Sequence, residues 1–305
     1  MKKLGLSPAL RGNLLLLLTA FIWGIAFVAQ KSGGAAMGAL TFNGVRSFIG
    51  CGGLLAAIPL LDRLGLSRPC ADKVQRKKLW IGGICCGMAL FAATNMQQLG
   101  LLTTTVGKGG FVTALYIVLV PLIGMFIGKK TTWLNWLGVA PAVGGLYLLC
   151  APEGGGIVTG DILLLACALL FSIQILLVAH FAPQVDGVRL SCIQFLTVGV
   201  LNIPLMFIFE QPSLTAMADN WLPLLYAGLM SSGVAYTLQI IAQRDTHPTV
   251  ASLLMSLESV FAVLAGAILL GDRLSVPEWI GCGLMFVAIV ITQLPAPAKK
   301  ESDYG

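Results

Sequence analysis

The sequence predicts an all-α integral membrane protein with ten transmembrane helices arranged as two inverted five-helix repeats. Three observations lead to this fold class: the composition, ten long apolar runs, and one pattern that occurs in both halves of the chain. Of the 305 residues, 57% are hydrophobic and only 10% are charged, whereas soluble domains carry about 25% charged residues. The charged residues fall mostly between the apolar runs, which is typical of helical membrane proteins.

Ten apolar runs approach or reach the length that crosses a bilayer as a helix. Such a helix needs about 20 mostly apolar residues. Several of the runs begin with a tryptophan, a residue type that is enriched where helices meet the membrane interface. The predicted helices are 13–30, 39–61, 79–99, 106–128, 133–150, 160–180, 190–209, 221–242, 249–270 and 277–294.

One pattern of apolar and turn residues occurs twice. The stretch 253–291 contains two apolar segments joined by a short hinge, and the same pattern occurs 143 positions earlier. The identical pairs at this offset include Gly128 with Gly271, Trp136 with Trp279, and Gly138 with Gly281. The beginnings of the two halves align at an offset of 148, where Arg46 meets Gln194. The sequence therefore predicts one five-helix repeat over 12–150, a second over 160–294, and a disordered cytoplasmic tail over 295–305.

The odd number of spans in each repeat predicts that the two repeats are inverted. The second copy then begins on the opposite side of the membrane from the first. Inverted repeats of this kind enclose a site near the middle of the bilayer and move about it, which is the architecture of alternating access. This symmetry is the main physical reason to expect a transporter.

Basic residues in the loops predict the orientation. With the N-terminus in the cytoplasm, fifteen Lys and Arg residues fall inside, whereas only Lys31 and Arg273 fall in outside loops. Because cytoplasmic loops carry an excess of Lys and Arg, both termini are expected in the cytoplasm and the protein in the cell (inner) membrane. The fifteen are Lys2, Lys3, Arg11, Arg63, Arg68, Lys73, Arg76, Lys77, Lys78, Lys129, Lys130, Arg189, Arg244, Lys299 and Lys300.

Two stretches of the second half resemble a known family. They are SLESVFAVLAGAILLGDRLSVPEWIGCGLMFVAIVI and, at the entry to the seventh predicted helix, VDGVRLSCIQF. Together with the arrangement of five plus five spans, they are similar to the EamA-type branch of the drug/metabolite transporter superfamily, over roughly residues 10–295. Two positions depart from the family pattern. Ser259 replaces the proline that often follows the acid and kinks the helix, and Asp272 replaces a glutamate in the hinge.

The resemblance implies a secondary transporter, expected to be an exporter, of small metabolites such as amino acids or related compounds. It implies a central cavity and alternating access, with proton coupling left open. ATP is not expected to drive transport, because the chain has no Walker motif. A flippase for a lipid-linked carrier and a membrane protein without transport activity are the alternatives. An enzyme is not expected, because the sequence shows no Ser/His, paired-Asp or metal cluster near a membrane face.

Glu258 is the sharpest candidate for a functional residue. It lies near the middle of a predicted span, too deep to reach water, and burial favours the neutral form of a carboxyl group. One hypothesis is that Glu258 carries a proton or recognises a substrate ammonium group. The other is that it is a protonated acid that only hydrogen-bonds a neighbouring helix.

Two basic residues lie within predicted spans. The guanidinium of Arg46 can bind a substrate carboxylate, but it can equally extend to the outer interface or pair with an outer acid. Lys108 lies just inside the fourth span, where the flanking Gly107 and Gly109 leave space beside its amine. It is a second substrate-binding candidate, with an interfacial anchor as the favoured alternative.

Aromatic and amide side chains within the spans complete the predicted substrate site. Trp23 lies in mid-span, away from the interface, so it either lines the cavity or packs against other helices. Amides in hydrocarbon must face protein or a wet cavity, and some of them form structural bonds between helices. The remaining candidates are Asn95, Gln97, Gln174, Gln194 and Tyr236.

Neither a cofactor nor a metal ion is expected. The cysteines lie mostly within spans and lack metal-ligand spacing, so they are interpreted as small packing residues. The net charge of +6 does not indicate nucleic acid, because the basic residues fall in short loops and do not form one face. The expected partners are a small-molecule substrate and the lipid bilayer, with a homodimer left open.

Overall fold

A computed structural model describes residues 7–103, 106–129, 131–149, 159–270 and 275–293. All regular structure in these ranges is helical, which confirms the predicted fold class. The predicted tail 295–305 and the hinge residue Asp272 lie outside the described residues. The repeat boundaries at 12–150 and 160–294 stay predictions.

The first half of the chain contains six helices. They are α1 Pro8–Met37, α2 Ala39–Arg63, α3 Lys73–Thr103, α4 Val106–Ala114, α5 Tyr116–Phe126 and α6 Trp133–Leu149. The second half contains eight helices and one π-helical segment. They are α7 Thr159–Phe181, α8 Gly187–Phe209, α9 Leu214–Asp219, α10 Trp221–Leu225, the π-helical segment Tyr226–Ala235, α11 Tyr236–Ala242, α12 Pro248–Met255, α13 Glu258–Leu270 and α14 Val276–Gln293.

Every one of the ten predicted helices has a counterpart. Eight helical segments of the described residues are long and apolar enough to cross a membrane. The other two are the last helix of each half: α6 has 17 residues, and the apolar part of α14 is the shorter segment Trp279–Ala288. These two short helices pack against each other along their length.

Packing between the halves is reciprocal. Helix α2 packs against its counterpart α8, and α6 packs against α14. Helix α3 packs on α7 and α8, while the equivalent eighth span, from α10 to α11, packs on α1 and α2. This exchange of contacts is what an internal two-fold relationship between inverted repeats requires.

Two glycines allow especially close approach between helices. A Cβ atom added at Gly145 of α6 would lie 2.8 Å from the carbonyl oxygen of Gly281 in α14. A Cβ atom added at Gly24 of α1 would clash with the Cβ of Phe261 in α13. Small residues let helix backbones pack closely where lipid supplies no hydrophobic driving force. Both contacts join the first half to the second.

Three of the predicted spans are not continuous α-helices. The fourth span is interrupted at Leu115, between α4 and α5, and the ninth is interrupted at Ser256 and Leu257, between α12 and α13. The eighth span contains the π-helical segment, a feature frequent at functional sites. The fourth and ninth spans are equivalent in the two repeats, so the interruptions are related by the internal symmetry.

The interruption of the ninth span does not depend on a proline. The span is broken at Ser256 and Leu257 although serine stands at position 259, where the family pattern often has proline. The Ser256 side chain donates to the carbonyl oxygen of Leu253 at 2.7 Å, and the Ser259 side chain donates to the carbonyl oxygen of Gly110 in α4 at 3.1 Å. Such serine bonds compete with regular helix bonding, and the second one ties the two interrupted spans together.

Candidate functional site

A buried cavity lies where the two interrupted spans meet. It offers about 20 Å³ of room for water molecules, and one water needs roughly 10–15 Å³ measured in this way. Its walls come from α1, α2, α3, α5, α7, α12, α13, the π-helical segment and α11, so both halves contribute. The cavity therefore has the central position that inverted repeats predict, but it is closed around a space of about one water molecule.

Six of the nine predicted site residues line this cavity. They are Trp23, Arg46, Gln97, Gln174, Tyr236 and Glu258. The cavity is also lined by four polar residues that were not predicted from the sequence, namely Gln30, Tyr116, Ser231 and Gln239. Its apolar walls are Phe27, Phe171, Ile175 and Met255.

The other three predicted residues do not line the cavity. Gln194 lies behind the wall and accepts a hydrogen bond from Gln174. Asn95 accepts a hydrogen bond from the side chain of Asn43 at 2.8 Å, so it joins α3 to α2. The backbone of Lys108 belongs to α4, and its side chain lies outside what the structure describes.

Glu258 is the first residue of α13 and connects the two interruptions. Its carboxylate Oε1 accepts a hydrogen bond of 2.9 Å from the hydroxyl of Tyr116, the first residue of α5. The Glu258 side chain is buried, with 5% of its surface exposed. A bond between two helix starts in opposite repeats means that any separation of α5 from α13 must break it.

Arg46 presents a buried guanidinium to the same cavity. Its exposed fraction is 3%, and the guanidinium carbon lies 5.6 Å from the centre of the Phe42 ring. Within the described ranges, Arg46 forms no ion pair with a carboxylate. A buried charge is costly without a partner, so this position has the character of an anion-binding group.

A row of glutamine side chains forms one wall. Gln239 donates to Gln174 at 3.3 Å, and Gln174 donates to Gln194 at 3.3 Å. The row comes from α11, α7 and α8, so it fixes three helices relative to one another. Its end at Gln239 Oε1 has no hydrogen-bond partner in the part of the chain that the structure describes.

Aromatic rings form another part of the cavity and its surroundings. The Trp23 and Tyr236 rings lie 4.5 Å apart, and Phe195 packs edge-on against Tyr236 at 5.3 Å. Trp23 Nε1 and Gln30 Oε1 are buried polar atoms without a partner among the described residues. Buried polar atoms are usually satisfied by protein, water or ligand, so these atoms add an unused donor and an unused acceptor beside the cavity.

The cavity thus combines a cation, an acid, unpaired amide and indole groups, and aromatic faces. This set suits a small polar molecule with both an anionic and a cationic end. Within the described ranges, no group of three or more His, Cys, Asp or Glu side chains is placed so that it could hold a metal ion.

Comparison with protein families gives one match that spans nearly the whole chain. The model of the EamA-like transporter family matches residues 10–151 and again residues 158–294. The two matches follow one another along the chain, as a duplicated unit would.

Similar proteins cover almost the full length. An uncharacterized transporter of Archaeoglobus fulgidus is 30% identical over 286 residues, which are 93% of this chain and 86% of that protein. The uncharacterized inner membrane transporter YedA of Escherichia coli K12 is 26% identical over 281 residues, 90% of this chain and 87% of YedA. One crystal structure, described only as that of a protein, has a TM-score of 0.76 at 21% identity and covers 92% of this chain and 96% of its own.

Proposed function

Because this chain belongs to the EamA-like transporter family and is therefore a multi-pass membrane transporter, we propose that it exports a zwitterionic metabolite of the amino-acid class in exchange for protons. One observation carries the proposal. Arg46 and Glu258 line the same buried cavity, and neither forms an ion pair with the other or with any further described residue. An amino acid presents the complementary groups, a carboxylate and an ammonium.

The carboxylate end of the substrate is assigned to Arg46. A guanidinium binds a carboxylate through two parallel hydrogen bonds, which are stronger than neutral ones. The indole N–H of Trp23 is an unpaired donor on the same cavity. Arg46 and Trp23 therefore supply both the charge and a further hydrogen bond for an anion.

The ammonium end of the substrate is assigned to Glu258. Its carboxylate is held by the Tyr116 hydroxyl, which leaves its other oxygen to accept from the substrate. Trp23 and Tyr236 line the same cavity, and aromatic rings attract a cation at their faces. An ammonium bound here stays in contact with both interrupted spans.

Competition between a proton and the substrate ammonium at Glu258 couples transport to proton movement and sets the direction of transport. A proton and a substrate ammonium cannot occupy one carboxylate together, because each neutralises the same charge. Protonation from the outer side releases the substrate there, and loss of the proton to the cytoplasm restores the binding form. An inward proton gradient then drives the substrate outward.

Opening of the cavity requires the helices to move. An amino acid is several times larger than the space for about one water molecule. Interrupted helices at the centre of inverted repeats form the binding sites of several transporter folds, and movement of one repeat against the other alternately opens the two sides. The interruptions at Leu115 and Ser256–Leu257 are the points where such movement begins.

The proposed topology places both termini in the cytoplasm. The excess of basic residues in the loops of that side supports it. YedA, a similar protein of Escherichia coli, is an inner membrane transporter, which supports the same membrane for this chain.

A binding experiment on the purified protein tests the substrate assignment. Thermal unfolding is followed with amino acids and with their amides, since a ligand of the folded state raises the melting temperature as ln(1 + [L]/Kd). We expect Arg46→Ala to weaken binding of the acid at least tenfold and of the amide much less, because loss of a charge-assisted bond costs about 1.5–3 kcal/mol.

The control is Arg244→Ala, which removes an exposed arginine that does not line the cavity. It should leave both affinities unchanged. Equal losses for acid and amide in Arg46→Ala would instead give Arg46 a structural role and end the carboxylate assignment.

A further inference from the structure

A second cavity opens at the end of the bundle that carries residues 64–72. It has a volume of about 660 Å³ and lies between α2, α3, α8 and that connecting segment. It shares no lining residue with the central cavity. The function proposed above does not use it.

The deep part of this groove is apolar and open toward the hydrocarbon. Leu55 and Ile58 of α2 form one wall, and Leu196 of α8 forms the other. Leu55 and Leu196 are 58% and 37% exposed, which in a membrane means contact with lipid tails. The groove between α2 and α8 is therefore an apolar extension of the surface that faces lipid.

The rim of the groove is basic. Lys73 and Arg76 lie one turn apart on α3, and Trp80 follows one turn further along the same helix. Lys73 and Arg76 are exposed and have no ion-pair partner within the described ranges. A tryptophan at the end of a transmembrane helix, like Trp80 here, is typical of the interface between headgroups and tails.

The other charged residues of the rim are already engaged. Arg189 binds Asp62 through both nitrogens, at 2.7 and 3.0 Å. Asp72 accepts from the backbone N–H of Gln75 at 2.7 Å and so begins α3. Lys73 and Arg76 are left as the two cations available to a ligand, directly above apolar walls.

We propose that this groove binds one anionic phospholipid. The headgroup phosphate binds Lys73 and Arg76, and an acyl chain lies between Leu55, Ile58 and Leu196. A soluble phosphate would make no contact with the apolar walls, and a neutral lipid would leave the two cations unpaired. Basic pockets between transmembrane helices at the membrane surface recognise acidic headgroups in this way.

The bound lipid contacts three helices of both repeats. It touches α2 and α3 of the first half and α8 of the second, so it ties the halves together at this end. Its release is therefore favoured when α2 and α8 separate there.

Lipid binding to the full-length protein in detergent tests the proposal. The probes are phosphatidylglycerol, phosphatidylcholine and glycerol phosphate, followed by native mass spectrometry and by the melting temperature. We expect phosphatidylglycerol to bind and to raise the melting temperature, and phosphatidylcholine to do so at least fivefold more weakly. Lys73→Ala and Arg76→Ala should each weaken phosphatidylglycerol binding about fivefold, and Arg76→Lys should retain most of it.

The matched control is Lys77→Ala with Lys78→Ala, which removes two exposed charges of the same helix outside the groove. An equal loss in this control would overturn the proposal, because general surface charge would then explain binding. Displacement of the lipid by glycerol phosphate would also overturn it, since the apolar walls would not contribute. A Leu55→Trp variant fills the groove with all charges retained and should abolish binding; unchanged binding, or occupation of the groove by a second copy of the chain, would contradict the assignment.

Discussion

Asp62 and Glu210 are equivalent residues of the two repeats, 148 positions apart, and each binds the start of the helix that carries the other. Asp62, near the end of α2, forms an ion pair with Arg189 in the first turn of α8, at 2.7 Å. Glu210, which follows α8, accepts from the backbone N–H groups of Leu40 and Thr41 at the start of α2, at 3.0 and 2.8 Å. Helices α2 and α8 are therefore held together at both ends, in each case by an acidic residue at the equivalent position of its repeat.

Loss of the Asp62 contact and loss of the Glu210 contact should open the cavity toward opposite sides of the membrane. Asp62→Asn removes the ion pair at one end and should favour opening there, whereas Glu210→Gln should favour opening at the other end. A cysteine placed at the cavity residue Ser231 reports opening through an impermeant thiol reagent added from one side. We expect each variant to increase labelling from one side only. Each should lower stability by about 1 kcal/mol, since a partly exposed ion pair contributes little and so do the hydrogen bonds that Glu210 accepts. Labelling that rises equally from both sides would contradict separate roles for the two contacts.

Glu258→Gln tests the proton exchange. Glutamine keeps the shape and the bond to Tyr116 but cannot release a proton. Uptake driven by a pH gradient in vesicles should be abolished, while exchange of labelled for unlabelled substrate should continue at a measurable rate. Asp245→Asn, an exposed acid outside the cavity, is the control and should change neither rate. Gradient-driven uptake at the normal rate in Glu258→Gln would rule out proton coupling through this residue.

A native thiol pair tests whether α2 and α8 separate during transport. The sulfur atoms of Cys51 and Cys192 lie 3.6 Å apart, in contact but not bonded, so a small approach of α2 to α8 during mild oxidation with copper phenanthroline should form a disulfide. Because the bond fixes α2 to α8, we expect transport to stop and to return on reduction. Cys51→Ser should be insensitive to the oxidant. Full transport by the cross-linked protein would mean that these helices stay together throughout the cycle.

Gly24→Ala tests the close packing of the two halves. The added methyl group would clash with Phe261 and force α1 away from α13; overpacking of this kind costs about 1–3 kcal/mol. Gly52→Ala in α2 is the matched control, because its Cβ would meet nothing within 4 Å. Thermal unfolding should show a lower melting temperature for the first variant and an unchanged or higher one for the second. A similar response of both variants would contradict the tight contact.

The helices were predictable from the sequence because lipid imposes a simple rule of length and apolarity. Depth within a span also identified Trp23, Arg46 and Glu258 as cavity residues. The interruptions were not predicted, since Ser256 and Leu115 carry none of the proline or glycine signals that usually mark a break. They depend on bonds between distant residues, such as that from Ser259 to Gly110.

Sequence position could not decide which buried amides face the cavity. Asn95 and Gln97 are two residues apart on α3, yet Asn95 bonds Asn43 whereas Gln97 lines the cavity. Gln239 and Tyr116 were not predicted to line the cavity, because their positions along the spans do not show which face of the helix is turned toward it. Helix rotation and the partner opposite each residue decide its role, and both come from tertiary packing.

The water-sized cavity also sets a limit on affinity. Only molecules that have opened can admit a substrate, so the measured dissociation constant equals the intrinsic constant divided by the open fraction. Contacts that stabilise only the closed state therefore weaken substrate binding. Substitutions that destabilise only the closed state should tighten substrate binding. In this molecule, a more stable closed state therefore means a lower affinity for the substrate.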